Sequence, residues 1–359
     1  MSNNTNVMVA MSGGVDSSVA AFLLKNMGYN VAGMMMRLFD PCQLSDRTAE
    51  CPESDDVKDA RSVARHLSIP FYCPDMSSDF ASTVIDNFAD TYLKGETPNP
   101  CIVCNKYIKF GIFRETALSL GYDKIATGHY ARIERNSDGR YLLRKAVDLS
   151  KDQSYVLYSL SQEQLASTVL PLGELTKEES RKIAKEAGLP VFSKGDSQDI
   201  CFVKDGDYSA FLKSWCKYDF PSGDFVDTNG NYVAEHKGIV SYTVGQRKGL
   251  GISSEAPWYV LDKIPEENKV VLCRGEELFV NTLVARNVNF IPFDKLDSTV
   301  NVRARIRYAH KEAPAKISPL DDGRVLVEFE TPQRAPAAGQ SVVFYDGEYV
   351  VGGGIIDKK

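Results

Sequence analysis

Ser12-Gly13-Gly14-Val15-Asp16-Ser17-Ser18 lies between two apolar runs, Val7-Met8-Val9-Ala10-Met11 of strand length and Val19-Ala20-Ala21-Phe22-Leu23-Leu24 suited to a helix. A strand, a glycine turn and a helix start present backbone N–H groups and a positive helix end to an anion. The two glycines let the backbone approach a phosphate, and Ser12, Ser17 and Ser18 can donate hydroxyl hydrogen bonds. Asp16 is a poor partner for bare phosphate. It fits if Mg²⁺ lies between carboxylate and phosphate, or if it caps the helix. The spacing lacks the Gly-Lys-Ser/Thr ending of a Walker loop and differs from Gly-x-Gly-x-x-Gly. On spacing alone, a plain strand-to-helix turn with capping residues stays open.

The cysteines are the second reactive group. Cys101-Ile102-Val103-Cys104 follows Thr97-Pro98-Asn99-Pro100, where a loop becomes a helix. A helix N-terminus favours thiolate, and Lys106 adds positive charge nearby. Far along the chain, Gly195-Asp196-Ser197-Gln198-Asp199-Ile200-Cys201-Phe202 puts another cysteine in polar surroundings. Two separated thiols suit sulfur transfer, one carrying a sulfane sulfur and the other attacking it. Competing readings are a thioredoxin-like redox CxxC, whose fold context is absent, a zinc or iron–sulfur site using Cys42, Cys51, Cys101 and Cys104, whose first pair is spaced badly for structural zinc, and plain core thiols. The core reading suits Cys73, Cys216 and Cys273, which have apolar or aromatic neighbours. His129, after Thr127-Gly128, stands at the end of an expected strand on the same side as the glycine turn, although a packed histidine is the ordinary alternative. His66, His236 and His310 show no constellation, and no Ser/His/Asp triad or carboxylate pair can be argued.

These residues need elements to position them. Residues 1 to about 200 alternate strand-like and helix-like segments, which implies a parallel sheet with ligands at the carboxyl ends of its strands. Expected strands include 30–36, 70–73 and 123–130, and expected helices 55–66, 82–93 and 104–120; residues 39–54 read as a loop. From about 205 helix signals thin out, and Asn229-Gly230 marks a hairpin. Residues 237–245 read as a strand, and 258–261 should pair with 269–272. Residues 283–359 alternate like a small antiparallel barrel or sandwich, with turns at Asp321-Asp322-Gly323 and Asp346-Gly347. In residues 300–308, Arg303, Arg305 and Arg307 share one face and Val302, Ala304 and Ile306 the core face. An arginine row is either a solvated face or a grip on nucleic-acid phosphates.

Bulk composition limits the classes. The chain has 359 residues, 43% hydrophobic and 25% charged, which suits a soluble protein of two or three domains. No apolar run is long enough to span a membrane, and the start carries no export or import signal. Eight cysteines with no export signal point to thiols in a reducing compartment, hence a cytoplasmic protein. A net charge of −6 is not that of a general nucleic-acid binder, so any basic surface is local.

The Ser-Gly-Gly-Val-Asp-Ser run resembles the pyrophosphate loop of N-type ATP pyrophosphatases. Further motifs are Thr97-Pro98-Asn99-Pro100 with Cys104-Asn105, Ala126-Thr127-Gly128-His129-Tyr130, Lys151-Asp152-Gln153-Ser154-Tyr155 and Asp199-Ile200-Cys201-Phe202. Others are Tyr242-Thr243-Val244-Gly245-Gln246-Arg247-Lys248-Gly249-Leu250-Gly251, Phe344-Tyr345-Asp346-Gly347 and Gly352-Gly353-Gly354. Together they resemble the tRNA-specific 2-thiouridylases over the whole chain. The pyrophosphate loop is shared with many enzymes; the 242–251 run and the spaced cysteines are far more specific.

The resemblance implies a parallel-sheet ATP-pyrophosphatase domain at 1–204, a small mainly β domain at 205–282 and an antiparallel β-barrel at 283–359. It implies that ATP, with Mg²⁺, activates the 2-oxygen of a wobble uridine, which a protein persulfide then replaces with sulfur. Ala10, Met11, Ser12, Gly13, Gly14, Val15, Asp16 and Ser17 would bind ATP, with Met36 and Gly128 beside adenine and ribose. Cys201 would carry the persulfide, and Cys104 would be the nucleophile that ends in a disulfide with it. Asn99, Pro100 and Cys101 would face the base. His129, Lys151, Asp152, Gln153, Arg307, Tyr308 and Gln340 would touch tRNA. Expected partners are wobble-uridine tRNAs for Lys, Glu and Gln and a sulfur-donating cysteine desulfurase or relay protein. Some relatives have an aspartate where this chain has Cys101. The alternatives are an adenylating ligase or amidotransferase acting on a small metabolite, and a non-catalytic RNA-binding protein.

Overall fold

The structure is a computed structural model, and it describes residues 4–39, 53–195, 200–203 and 206–358. Its contacts divide the chain into two compact units. The first comprises Met1–Val84, Cys101–Asp199 and Glu348–Val350, the second Ile85–Pro100, Ile200–Gly347 and Val351–Lys359.

In the first unit, strand β1 (Asn6–Ala10) is the centre of a five-stranded parallel sheet. It pairs with β2 (Asn30–Met34) on one side and β4 (Lys124–Ala126) on the other. Strand β3 (Phe71–Tyr72) lies outside β2, and Thr168–Val169 outside β4. Val7, Met8 and Val9 are fully buried, as a central parallel strand covered on both faces requires. Helix α1 (Val15–Asn26) buries Val15, Val19, Ala20, Ala21 and Leu24. Full burial of Val19 or Leu24 is worth about 1.5–3 kcal/mol each. Helix α2 (Asp55–His66) is capped by Ser54, whose side chain accepts from the Val57 N–H, with Asp55 and Asp56 in its first turn.

The alternation expected of a parallel α/β domain is borne out, with shorter strands. The expected strand over 123–130 stops at Ala126, so Thr127, Gly128 and His129 form its carboxyl-end loop. The helix expected from 104 begins instead at Pro100, whose missing N–H costs nothing at a helix start. A hairpin, Ala131–Arg135 with Tyr141–Lys145, follows the sheet, and its turn contains Asp138-Gly139, with Gly139 at φ +86°. Its turn is held by the Asn136 side-chain oxygen, which accepts from the Asp138 and Arg140 N–H groups.

The second unit is mainly β, as expected. Tyr259–Ile264 and Lys269–Cys273 pair antiparallel, and Gly223–Val226 forms a hairpin with Tyr232–His236 across Asn229-Gly230. The strand expected over 237–245 is absent. Ile239–Ser241 is a short 3-10 turn between Gly238 and Gly245, whose φ values of +100° and +87° break extended backbone. Its β-branched and aromatic residues serve packing, with Ile239, Val240 and Tyr242 buried.

Six antiparallel strands then close a barrel: Phe279–Phe290, Val325–Arg334, Ala313–Pro319, Val300–Arg305, Ser341–Asp346 and Tyr349–Ile356, the last pairing back to the first. Closure leaves the ring no unpaired edge. Ile317, Val327, Val342 and Phe344 are fully buried inside it. The expected turns at Gly323 and Gly347 are present, both with positive φ.

Candidate active site

The glycine turn follows directly from β1. Gly13 has φ +71°, and a Cβ there would stand 2.4 Å from the Asp56 carbonyl oxygen, so backbone conformation and α2 both exclude a side chain. Ser17 Oγ accepts from the Ser12 N–H at 3.1 Å and donates to the Gly14 carbonyl at 3.2 Å, and Ser18 Oγ donates to that carbonyl at 2.8 Å. The serines thus brace the turn. Gly14 is the N-cap of α1 and no side chain caps it. The first-turn N–H groups are left for an anionic ligand.

A cavity of about 180 Å³ opens at this turn. Of the residues expected at ATP, Ala10, Met11, Ser12, Asp16, Ser17, Met36 and Gly128 line it. Thr127, His129, Gln153 and Lys109 complete the wall. At Gly128 a Cβ would meet the Asp16 carbonyl carbon and the Ser17 nitrogen at 2.8 Å, so this glycine permits the close approach of the β4 loop to the turn.

Sequence reasoning missed the cations around the turn. Lys177 places its Nζ 2.7 Å from each carboxylate oxygen of Asp16, and the Tyr130 hydroxyl donates to the same carboxylate at 2.9 Å. Lys194 donates to the Gly13 carbonyl at 3.1 Å and pairs with Asp56 at 2.7 Å and Asp59 at 2.6 Å. No local signal identifies these lysines, because each reaches the turn from more than 130 positions away.

His129 is buried and shares a 2.8 Å hydrogen bond between its Nδ1 and Thr127 Oγ1. Burial, with the Lys109 charge added, holds it well below the usual histidine range, so it is neutral at pH 7. Gln153 is fixed against Tyr130, accepting the Tyr130 N–H at its Oε1 and donating its own N–H to the Tyr130 carbonyl. Asp152 is buried, and its carboxylate accepts from the Ala146 and Ser154 N–H groups and the Ser154 hydroxyl. It therefore holds the turn that presents half-buried Lys151 and Gln153.

The cysteine helix runs from Pro100–Val103 into a wider, π-type segment, Cys104–Ile112, and on to Phe113–Ser119. Such widened turns concentrate at functional sites. Cys101 is exposed and Cys104 is 7% exposed. Desolvation of the Cys101 sulfur raises its pKa, and the Lys109 charge pulls against it. Asn105 donates its amide to the Val156 carbonyl at 3.0 Å, anchoring the helix beside Cys104.

The second unit holds the remaining expected residues. Gln340 donates to the Thr97 and Pro98 carbonyls, and Arg286 pairs with Glu96 at 2.6 Å, so the segment leading to Asn99 and Pro100 is clamped. Val302, Ala304 and Ile306 face the core as expected, but the strand ends at Arg305. The guanidinium of Arg307 donates to the Val244 and Ala335 carbonyls, while Tyr308 is exposed. Cys201 is exposed next to buried Phe202, whose ring lies 5.3 Å from Phe88 and 5.1 Å from Phe211. Asp196, Ser197, Gln198 and Asp199 of the Cys201 motif fall outside the described residues, as do Cys42 and Cys51 of the metal reading and most of the 39–54 loop. Of the three thiols read as core, Cys273 is buried and burial pushes it up to about 11, whereas Cys73 and Cys216 are only half-buried, with desolvation raising both.

The family models that match are a tRNA methyl transferase HUP domain over residues 5–205, a tRNA methyl transferase PRC-barrel domain over 209–274 and an aminomethyltransferase beta-barrel domain over 280–356. The chain is 51% identical over 356 residues to a tRNA-specific 2-thiouridylase MnmA of Clostridioides difficile strain 630, covering 99% of both chains. It is 51% identical over 362 residues to MnmA 1 of Caldanaerobacter subterraneus subsp. tengcongensis, covering all of both. To the MnmA of Clostridium acetobutylicum it is 50% identical over 354 residues, covering 98% of this chain and 99% of that one.

Proposed function

The chain belongs to the tRNA-specific 2-thiouridylase family, and from that premise we propose how its residues carry out ATP-dependent tRNA thiolation. One observation supports the reading above the others: the helix that carries Cys104 also supplies Lys109 to the wall of the cavity at the glycine turn. Nucleotide chemistry and cysteine chemistry are thereby neighbours within one unit.

A uridine carbonyl gives up its oxygen poorly. Attack of that oxygen on the α-phosphorus of ATP forms an O–P bond and expels pyrophosphate, which takes the electron pair. A sulfur nucleophile then adds at C2, and the C–O bond breaks with its pair leaving on AMP. The glycine turn, with Gly13, Gly14 and Val15 at the start of α1, binds the departing pyrophosphate; Met36 and Gly128 flank the nucleoside. Asp16, the one carboxylate among the lining residues, would hold a Mg²⁺ that would take its other ligands from phosphate and water and offset phosphate charge there.

Cys201, exposed, receives a persulfide from a sulfur-donating protein, and Cys104 attacks its inner sulfur as the outer one is released to the base. The two cysteines end as a disulfide, which a cellular reductant reopens. Asn99, Pro100 and Cys101 face the flipped-out base, and Lys151, Gln153, Arg307, Tyr308 and Gln340 support the tRNA. Incubation with ATP, a persulfide source and unmodified tRNA, followed by nucleoside analysis, tests this. The expected result is 2-thiouridine from the parent and none from Cys104→Ser or Cys201→Ser. A normal yield from Cys201→Ser would overturn the relay.

A further inference from the structure

Three lysines approach the glycine turn, and their partners differ. Lys177 is neutralised by Asp16 and Lys194 by Asp56 and Asp59. Lys109 lines the cavity, is half-buried, and among the described residues makes neither a hydrogen bond nor an ion pair. Withdrawing a cation partly from water with no counter-charge is unfavourable unless a ligand supplies one. The cavity it faces already has an uncapped helix N-terminus for an anion.

Position narrows the anion. In a helix with i→i+5 bonding, Lys109 stands one turn beyond Cys104. Its charge is felt at Cys101 and at His129. Lys109 therefore joins the cysteine helix to the cavity, which Ser12 of the glycine turn and Asp16 and Ser17 of α1 also line. On the ATP reading, the α-phosphate is the one joined to the oxygen that sulfur displaces, so of the nucleotide's phosphates it is the one that belongs beside the cysteine helix.

We propose that Lys109 is a catalytic residue that contacts the α-phosphate of the nucleotide. The inference rests on the ATP reading above. As the uridine oxygen bonds to phosphorus and the pair from the broken P–O bond leaves with pyrophosphate, the ammonium offsets negative charge on the non-bridging oxygens. It offsets the same oxygens when AMP departs from C2. Its part is electrostatic.

The test is calorimetric binding of adenosine, AMP and ATP to the full-length parent, Lys109→Met and Lys109→Arg, with circular dichroism as the folding control. Adenosine affinity should be the same in all three proteins. AMP and ATP should bind Lys109→Met about tenfold or more weakly, with Lys109→Arg within about threefold of the parent. Tetrahedral phosphate contact predicts a matching fall in tRNA-dependent AMP release. Parent-like binding of AMP and ATP by folded Lys109→Met overturns the inference, and so does equal weakening of adenosine. A parent that binds no ATP overturns the functional reading itself, a separate outcome visible in the control.

Discussion

Gln340 donates its side-chain amide to two successive carbonyls, Thr97 at 3.1 Å and Pro98 at 2.8 Å, across 242 positions from the latter. The adjacent Thr97 N–H donates to the Ala338 carbonyl at 2.8 Å. A residue expected at the tRNA surface thus also fixes the loop that presents Asn99 and Pro100.

Replacing Gln340 with Leu removes both side-chain bonds, each worth about 1 kcal/mol. We expect kcat for thiolation to fall by about ten- to thirtyfold, with KM for tRNA changed by less than about threefold. Steady-state kinetics check it. A rise confined to KM would assign Gln340 to tRNA contact alone.

Gly128→Ala forces a methyl group against the backbone of Asp16 and Ser17 at 2.8 Å. Neither is a flexible side chain, so the turn must shift. Such overpacking costs about 1–3 kcal/mol, and ATP affinity should drop by at least about tenfold while the protein still folds. Titration calorimetry measures this, and parent-like affinity would contradict the close approach.

Burial holds His129 well below the usual histidine range and also lowers His236 and His310. The unfolded chain takes up these protons near pH 6.5 while the folded chain does not. Stability from this source is present above that pH and is lost as pH falls below it. The melting temperature should therefore decline from pH 7.5 to pH 5.5, and less steeply in His129→Asn. Parallel declines in the two proteins would remove His129 from the account.

Lys263 is fully buried, and burial pushes it down to about 8. Its Nζ reaches the Glu96 carbonyl at 3.5 Å and lies 5.3 Å from the Tyr92 ring centroid. Between pH 8 and the unfolded value near 10.4, the unfolded chain binds more protons, so the parent gains stability as pH rises. Thermal melts should show the parent gaining a few degrees on Lys263→Met between pH 7 and pH 9.5. A constant difference would show that Lys263 does not titrate in that range.

The parts of this molecule legible in the sequence were those set by neighbours along the chain. Gly13 and Gly14 between a strand and a helix announced the turn, and Asn229-Gly230 announced its hairpin. The bonds of Lys177 to Asp16 and of Gln340 to Pro98 were illegible because the partners lie 161 and 242 positions apart. Residues 237–245 misled for another reason. Their β-branched and aromatic composition reports burial, and two glycines with positive φ decide the backbone instead. At Arg307 the two-residue period was extended past the strand end at Arg305.

The clasp of Lys177 on both oxygens of Asp16 means that the turn meets its ligand as a neutral dipole rather than a bare anion. An arriving group must satisfy both halves when it parts them. Inorganic phosphate offers a counterpart to the lysine and abandons the aspartate. A polyphosphate escorted by a divalent cation would exchange partners with both at once, so the clasp would filter by composition as well as by shape.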